Sequence, residues 1–355
     1  MTELEQIIKA QIRETGPLTL ADYMTLCLSH PRYGYYMTRD PLGVGGDFVT
    51  SPEISQMFGE LLGLALAQNW LDQGARAPVH LVELGPGRGT LMADMLRATQ
   101  SVPGFTDSLT LHFVETSPAL RALQTATLDH PVTHHYTVDT LPTDAPLYIV
   151  ANEFFDALPI RQFQRNGDAW RERLVGLTKE DALQLGHSDL MRPETLDARL
   201  STTIDGDIVE TSQGAQNIAA TLGQRIADQS GVALIIDYGN WQSLGDTFQA
   251  LRGHQPVSPL TDPGSADLTA HVDFEALALA APNLAHSDLT PQGVFLERLG
   301  ITARAQTLAQ NLDGSALEHH IAAHRRLTHA DEMGTLFKVM ALYPKGAVPP
   351  PGFAE

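Results

Sequence analysis

One run of residues constrains the fold more than any other: LVELGPGRGT at positions 81–90, where an apolar segment breaks into glycines and reopens as a helix-forming stretch. Glycine admits backbone conformations closed to other residues and lets a ligand approach closely beneath a helix N-terminus. Val79 to Leu84 therefore reads as a buried strand. Thr90 to Arg97 reads as a helix with Leu91, Met92, Met95 and Leu96 on one face. A dinucleotide-binding turn would carry its last glycine at position 90, where Thr90 stands. Glu83, two residues before the first glycine, places negative charge where a pyrophosphate would be repelled, so the turn suits a cationic ligand better.

The surrounding pattern repeats short apolar runs between helical stretches. Leu109–Glu115, Val132–Asp139, Leu147–Asn152 and Val232–Asp237 read as further strands. That alternation predicts an α/β protein with a doubly wound, mostly parallel sheet. A helical N-terminal region with a Gly- and Pro-rich lid, residues 1–75, precedes a core at 76–345, and a Pro-rich tail, 346–355, follows it. Within the N-terminal region, Ile7, Ile8 and Ile12 mark a helix that Gly16-Pro17 ends. A second helix runs from about Leu20 to Leu28, the lid from Pro31 to Ser55, and a longer helix from Ser55 to Asp72. Two stretches interrupt the core after its fourth and fifth strands. One, at about 161–230, reads as an antiparallel excursion followed by a helix near Ile208 to Ala227. The other, at about 240–290, reads as a long site-shaping loop.

Composition narrows the partners. With 23 Lys+Arg against 42 Asp+Glu the net charge is −19, so association with nucleic acid or an anionic membrane would begin with repulsion. Cys27 is the only cysteine, which excludes a disulfide framework and a Cys-based zinc site within one chain. No run approaches a transmembrane helix, and the acid-bearing N-terminus reads as neither signal nor transit peptide, which predicts a bacterial cytoplasmic protein without membrane insertion. His319, His320, His324 and His329 lack a nearby acid to complete a ligand set, so they read as a solvated helix face and no metal is expected. The oligomeric state stays open.

Three strand ends describe one pocket. Glu115, ending the second strand, is placed to accept hydrogen bonds from two ribose hydroxyls, and Asp139, ending the third, to face an adenine amino group. The alternative is that both are strand-end acids capping the next turn. With the glycine turn of Gly85, Gly87 and Gly89 behind Glu83, the pocket fits S-adenosylmethionine. Ser51-Pro52 reads as a helix start whose N-terminus can bind the cofactor's carboxylate. Tyr33, Tyr35 and Tyr36 read as packing.

The segments GDFVTSPEISQMFGE, ELGPGRGT, NEFFDALP, IDYG and ADLTAHVDF, in this order, resemble the MidA family of S-adenosylmethionine-dependent methyltransferases. The resemblance runs from about Pro31 to the strand at Leu336–Leu342. It implies a class I (Rossmann-like) methyltransferase fold with an antiparallel final strand. It also implies methylation of arginine on a protein, since the family's mitochondrial member is an assembly factor acting on a subunit of respiratory complex I. Carried over, Gly85, Gly87 and Gly89 match the cofactor turn, Glu115 the ribose-binding acid, and Asn152, Glu153 and Asp156 the motif that holds the acceptor. Arginine methyltransferases of other families place two glutamates there. Here Glu153 is the only glutamate and Asp156 the nearest second carboxylate.

A guanidinium stays charged in water and attacks poorly until a carboxylate orients it. Glu153 is the first choice for that task, with Asp156 and Asp237 behind it, and His271 is a candidate acceptor contact. Asn152 and Asp156 also suit a tight strand-to-loop turn. Two other readings keep the cofactor: a small-molecule acceptor, and an assembly chaperone that binds it without essential catalysis.

Overall fold

The computed structural model describes residues 2–38 and 50–354. Part of the expected lid, 39–49, lies outside the described residues.

Seven strands form the body of the larger sheet: β1 (Val79–Leu84), β2 (Leu109–Val114), β3 (Val132–His135), β4 (Leu147–Asn152), β5 (Gly231–Asn240), β6 (Leu284–His286) and β7 (Phe337–Pro344). Their order is β6-β7-β5-β4-β1-β2-β3. The pairs from β5 through β3 are parallel, and β7 runs antiparallel to both β5 and β6. Every residue of β1 and β4 is buried, because helices cover both faces, which is why these strands show no polar alternation. Leu81, Val150 and Leu234 pack towards Phe58, Leu62 and Met92 on one face. Val82, Ile149 and Ile235 pack towards Ala219, Leu222 and Phe274 on the other.

The excursion after β4 is a second sheet. Arg161–Asn166, Ala169–Leu177, Leu183–Met191 and Ile208–Thr211 pair antiparallel, and Leu18–Thr19 joins them against Leu174 and Val175. The helix expected from Ile208 starts later. Ile208–Thr211 is a strand, its β-branched residues paired with Arg161–Gln164, and Ser212 then caps the helix Gln213–Gln229 by accepting from the Ala215 N–H. Residues 249–269 are not a bare loop but a small antiparallel sheet, with Gln249–Arg252 between Gln255–Val257 and Asp267–Thr269.

β3 stops at His135 rather than Asp139. Its partner β2 ends at Val114, opposite His135, so the chain beyond has no strand to pair with and turns through Val138–Thr140 instead. Ser51 is not the helix cap. Thr50 occupies that position, and Ser55 caps the next helix, Gln56–Asp72, by accepting from the Met57 N–H. Among the described residues no helix is long and apolar enough to cross a membrane.

Histidines link β1, β2 and β3. His80 stands 3.1 Å from His112, His112 stands 3.0 Å from His135, and the ends of the chain reach Asp144 at 2.9 Å and Thr140 at 2.9 Å. A neutral imidazole can donate on one side and accept on the other, whereas a charged one can only donate. Burial and its two histidine neighbours push His112 down to about 4. The unfolded chain therefore takes up its proton first as pH falls through 6.5, and the native state loses stability from there down to about 4. We expect His112 to contribute about 1 kcal/mol of loss between pH 7 and 5 once solvent screening is allowed for. Urea unfolding at the two pH values should show a smaller loss in His112→Gln. An equal loss would place the acid sensitivity elsewhere.

Candidate active site

The chain winds to one side of the sheet from β1 and to the other from β4, so the carboxyl ends of these neighbours open a crevice at the point where strand order reverses. A cavity of about 940 Å³ lies there. Gly85, Gly87 and Gly89, at φ +61°, +52° and +83°, turn the chain from β1 into the helix Thr90–Thr99 in conformations that suit glycine. The Gly85 N–H donates to the Val114 carbonyl at 3.0 Å, which ties the turn to β2.

Glu83 sits beneath this turn, 3% exposed and lining the cavity. The Met92 backbone N–H donates to its carboxyl, but Oε2 has no partner among the described residues. Burial holds this carboxyl well above the usual range. An orphaned acceptor at the floor of a cavity fits a ligand that brings a donor or a positive charge, as the ammonium and sulfonium of S-adenosylmethionine would.

Glu115, just beyond β2, also lines the cavity. The Ser117 N–H donates to its Oε1 at 2.7 Å, so the capping reading holds while the side chain still faces the pocket. Burial raises it, and the Ser117 and Thr116 N–H groups oppose that rise. Asp139 lines the same end, exposed on the turn after β3, with Tyr136 beside it under the Arg121 guanidinium at 3.7 Å.

The opposite wall follows β4. Glu153 adopts φ +52°, a conformation that costs a non-glycine residue about 1–3 kcal/mol and that concentrates at functional sites. Its Oε1 accepts from the Ser51 N–H at 3.0 Å and the Asn152 Nδ2 at 3.1 Å. Burial pushes Glu153 up to about 7; the Ser51 N–H opposes this and the Asp156 carboxylate adds to it. Asp156 is buried and raised by that burial, with the Tyr238 hydroxyl acting against the rise. Asn152 Oδ1 and Asp156 Oδ1 both lack partners among the described residues, and both side chains line the cavity.

Other expected residues are placed differently. Asp237 lies behind this wall rather than in it, taking the Phe155 and Asp156 N–H groups on Oδ2 and the Tyr238 N–H on Oδ1. Ser51 is fully buried; its N–H serves Glu153 and its hydroxyl faces Gln292. Its neighbours Thr50, Pro52 and Glu53 line the cavity. His271 lines it, edge-on to the Tyr238 ring at 5.3 Å, and burial lowers its imidazole.

Tyr35 is packing, as expected, but Tyr36 lines the cavity and donates to Asp267 Oδ1 at 2.8 Å. These two residues lie 231 positions apart, and no local sequence signal joins them. Arg326, on the helix Gly314–Thr328 that carries His319, His320 and His324, also lines the cavity, and no motif points to it. Of these, His320 meets the Ala305 carbonyl and His324 the Thr302 hydroxyl. Among the described residues no group of three or more His, Cys, Asp or Glu is placed to hold a metal.

The family model described as "Putative S-adenosyl-L-methionine-dependent methyltransferase" matches residues 61–292. "Protein arginine methyltransferase NDUFAF7, mitochondrial" of Danio rerio is 37% identical, over 94% of this chain and 85% of its own. The Homo sapiens protein of the same name is 34% identical over 97% and 84%. A COG1565 superfamily structure from Burkholderia thailandensis bound to S-adenosyl-homocysteine aligns with TM-score 0.83 and 28% identity, covering 98% of this chain and 93% of that one. The expected bacterial cytoplasmic location does not stand, because these curated relatives are named mitochondrial proteins and lack of a leader-like run carries no address. The turn, its orphaned acid and the matched span agree, and the chain belongs to this family of S-adenosyl-L-methionine-dependent methyltransferases.

Proposed function

We propose that this methyltransferase modifies an arginine of a protein substrate, a subunit of respiratory complex I during assembly. The observation that carries the reading is the set of buried acceptors after β4. Glu153, Asp156 and the orphaned Asn152 and Asp156 oxygens offer a cavity wall that accepts hydrogen bonds, and a guanidinium is a fork of five donors with no acceptor. The names of the curated relatives support it. The strand order, with β7 antiparallel between β5 and β6, supports the class I, Rossmann-like form of the fold.

In this reading the glycine turn and Glu83 hold the amino-acid end of S-adenosylmethionine, Glu115 its ribose and Asp139 its adenine. When bound, the cofactor supplies an electrophilic methyl on a sulfonium, whose electron pair stays with sulfur as the new N–C bond forms. The protein's own work is alignment and one proton. Glu153 Oε1 is committed to Ser51 and Asn152, which leaves Oε2 for the acceptor nitrogen. A carboxylate there localises the guanidinium charge and receives the proton that nitrogen loses. Holding the nitrogen in line is worth roughly 7–11 kcal/mol of barrier in well-oriented systems. Asp237 sets the geometry by fixing the backbone of Phe155 and Asp156.

Calorimetric titration with S-adenosylmethionine, S-adenosylhomocysteine and NAD tests the pocket. We expect the two adenosyl ligands to bind, NAD not to bind, and Gly87→Val, at φ +52°, to lose binding. Methyl label incorporated with a candidate subunit should then appear as methylarginine after hydrolysis. Label in a non-protein acceptor would overturn the arginine assignment.

A further inference from the structure

The cavity extends past Glu153 to a wall built from the N-terminal region and the small sheet, whose Asp267 lies in the ADLTAHVDF segment. Tyr36 enters from the short helix Tyr35–Thr38 and donates to Asp267 Oδ1 at 2.8 Å. Asp267 is 5% exposed and lines the cavity. The strand carrying it is fastened beside the acceptor loop, because the Ala270 N–H donates to the Asp156 carbonyl at 3.0 Å. Asp156 itself is 6% exposed, with Oδ1 unpartnered among the described residues. Tyr36, Asp267 and Asp156 line the cavity together, and burial, then the charges of Asp267 and Asp156, hold the Tyr36 hydroxyl protonated.

We propose that Asp267, oriented by Tyr36, is the specificity-determining partner of Asp156, and that the two carboxylates grip the acceptor guanidinium from its non-reacting side. This rests on the arginine reading above. Glu153 faces the nitrogen that receives the methyl, while Asp156 and Asp267 take the remaining N–H groups. The pair supplies the second carboxylate that the segment after β4 lacks as a glutamate. It also gives a task to a tyrosine of the N-terminal region that reaches into the cavity. A guanidinium satisfies two carboxylates at once, whereas a urea of the same shape presents an oxygen to one of them and carries no charge. The wall therefore selects arginine over neutral isosteres.

The test uses the full chain saturated with S-adenosylhomocysteine, titrated with Nα-acetyl-L-arginine amide and with Nα-acetyl-L-citrulline amide. The wild type should prefer the arginine probe by about tenfold or more. Asp267→Asn should remove most of that preference while leaving S-adenosylhomocysteine affinity and melting near wild type. A general loss of structure would weaken both probes alike and leave their ratio intact. Tyr36→Phe, which keeps the ring and removes only the hydroxyl, should reduce the preference by about threefold. It decides the matter if Asp267→Asn does not fold. Preference retained in the variants overturns the proposal and leaves the arginine reading standing. A wild type that binds S-adenosylhomocysteine yet does not prefer the arginine probe overturns both.

Discussion

Glu153→Gln should lower kcat by about three orders of magnitude and leave S-adenosylhomocysteine affinity within about threefold. Glutamine keeps an oxygen for the Ser51 N–H and the Asn152 amide, so the loop at φ +52° has no reason to move. On the proposed reading it removes the negative charge that would localise a guanidinium and the base that would take its proton. In the wild type that charge is costly. Burial and the neighbouring Asp156 push Glu153 up to about 7, so kcat/KM should rise with pH through an apparent value near 7 that belongs to the coupled carboxyl group as a whole. The variant's residual activity should lack this limb.

Stability should run the opposite way. Below pH 4.5 the carboxyl is protonated in both folded and unfolded chains and contributes no difference. Between 4.5 and about 7 only the unfolded chain ionises, and the native state loses up to about 3 kcal/mol. Glu153→Gln should therefore be more stable than wild type at pH 8, by about 2 kcal/mol, and similar to it near pH 4.5. Urea unfolding at the two pH values checks this. Full activity in the variant, or equal destabilisation at both pH values, would sink the assignment.

The parts of this site visible in the sequence are those written in consecutive residues. The glycine turn declares itself because a buried strand, three glycines and a helix start must follow one another within a dozen residues. β4 and β5 are visible because burial on both faces demands near-continuous apolar runs, and β1, broken by His80 and Glu83, is visible because it leads straight into the glycine turn. Less visible is anything set by where a neighbour ends. Asp139 reads as a strand end, yet β3 loses its partner at Val114 and the residue sits on a turn instead. Asp237 follows an apolar strand as an active-site acid would, but its two oxygens are used on the backbone of the acceptor loop and of its own neighbour. Glu153, at a strained φ, is held through its carboxylate by the Ser51 N–H, 102 positions away, and the Tyr36–Asp267 pair joins parts of the site 231 positions apart. Such juxtapositions come from packing the N-terminal region and the small sheet onto the core, and periodicity carries no record of them.

The two halves of the site also meet at a contact that makes one glycine more consequential than its neighbours. Gly85 takes φ +61°, and a Cβ built there falls 2.9 Å from Phe154 Cδ2, too close to stand without movement. Phe154 follows Glu153 directly, so pushing its ring displaces the loop that carries Glu153. Gly89 is different: at φ +83° its added Cβ would make ordinary contact with Gln124 at 3.6 Å. Gly89→Ala should therefore cost little beyond the left-handed backbone itself, about 1–2 kcal/mol. Gly85→Val adds the collision to the same backbone penalty, and should cost about 3–5 kcal/mol and weaken S-adenosylhomocysteine binding by at least about 100-fold. Adding Phe154→Ala should return part of the melting temperature by making room for the new side chain, but not the activity, since the ring that fills the space between Gly85 and the loop after β4 is then gone. If Gly85→Val is no worse than Gly89→Ala in both melting and calorimetry, Phe154 yields freely and the two halves of the site are not coupled there. If the double variant regains stability while remaining inactive, the cofactor turn and the acceptor loop are set against each other through this one ring.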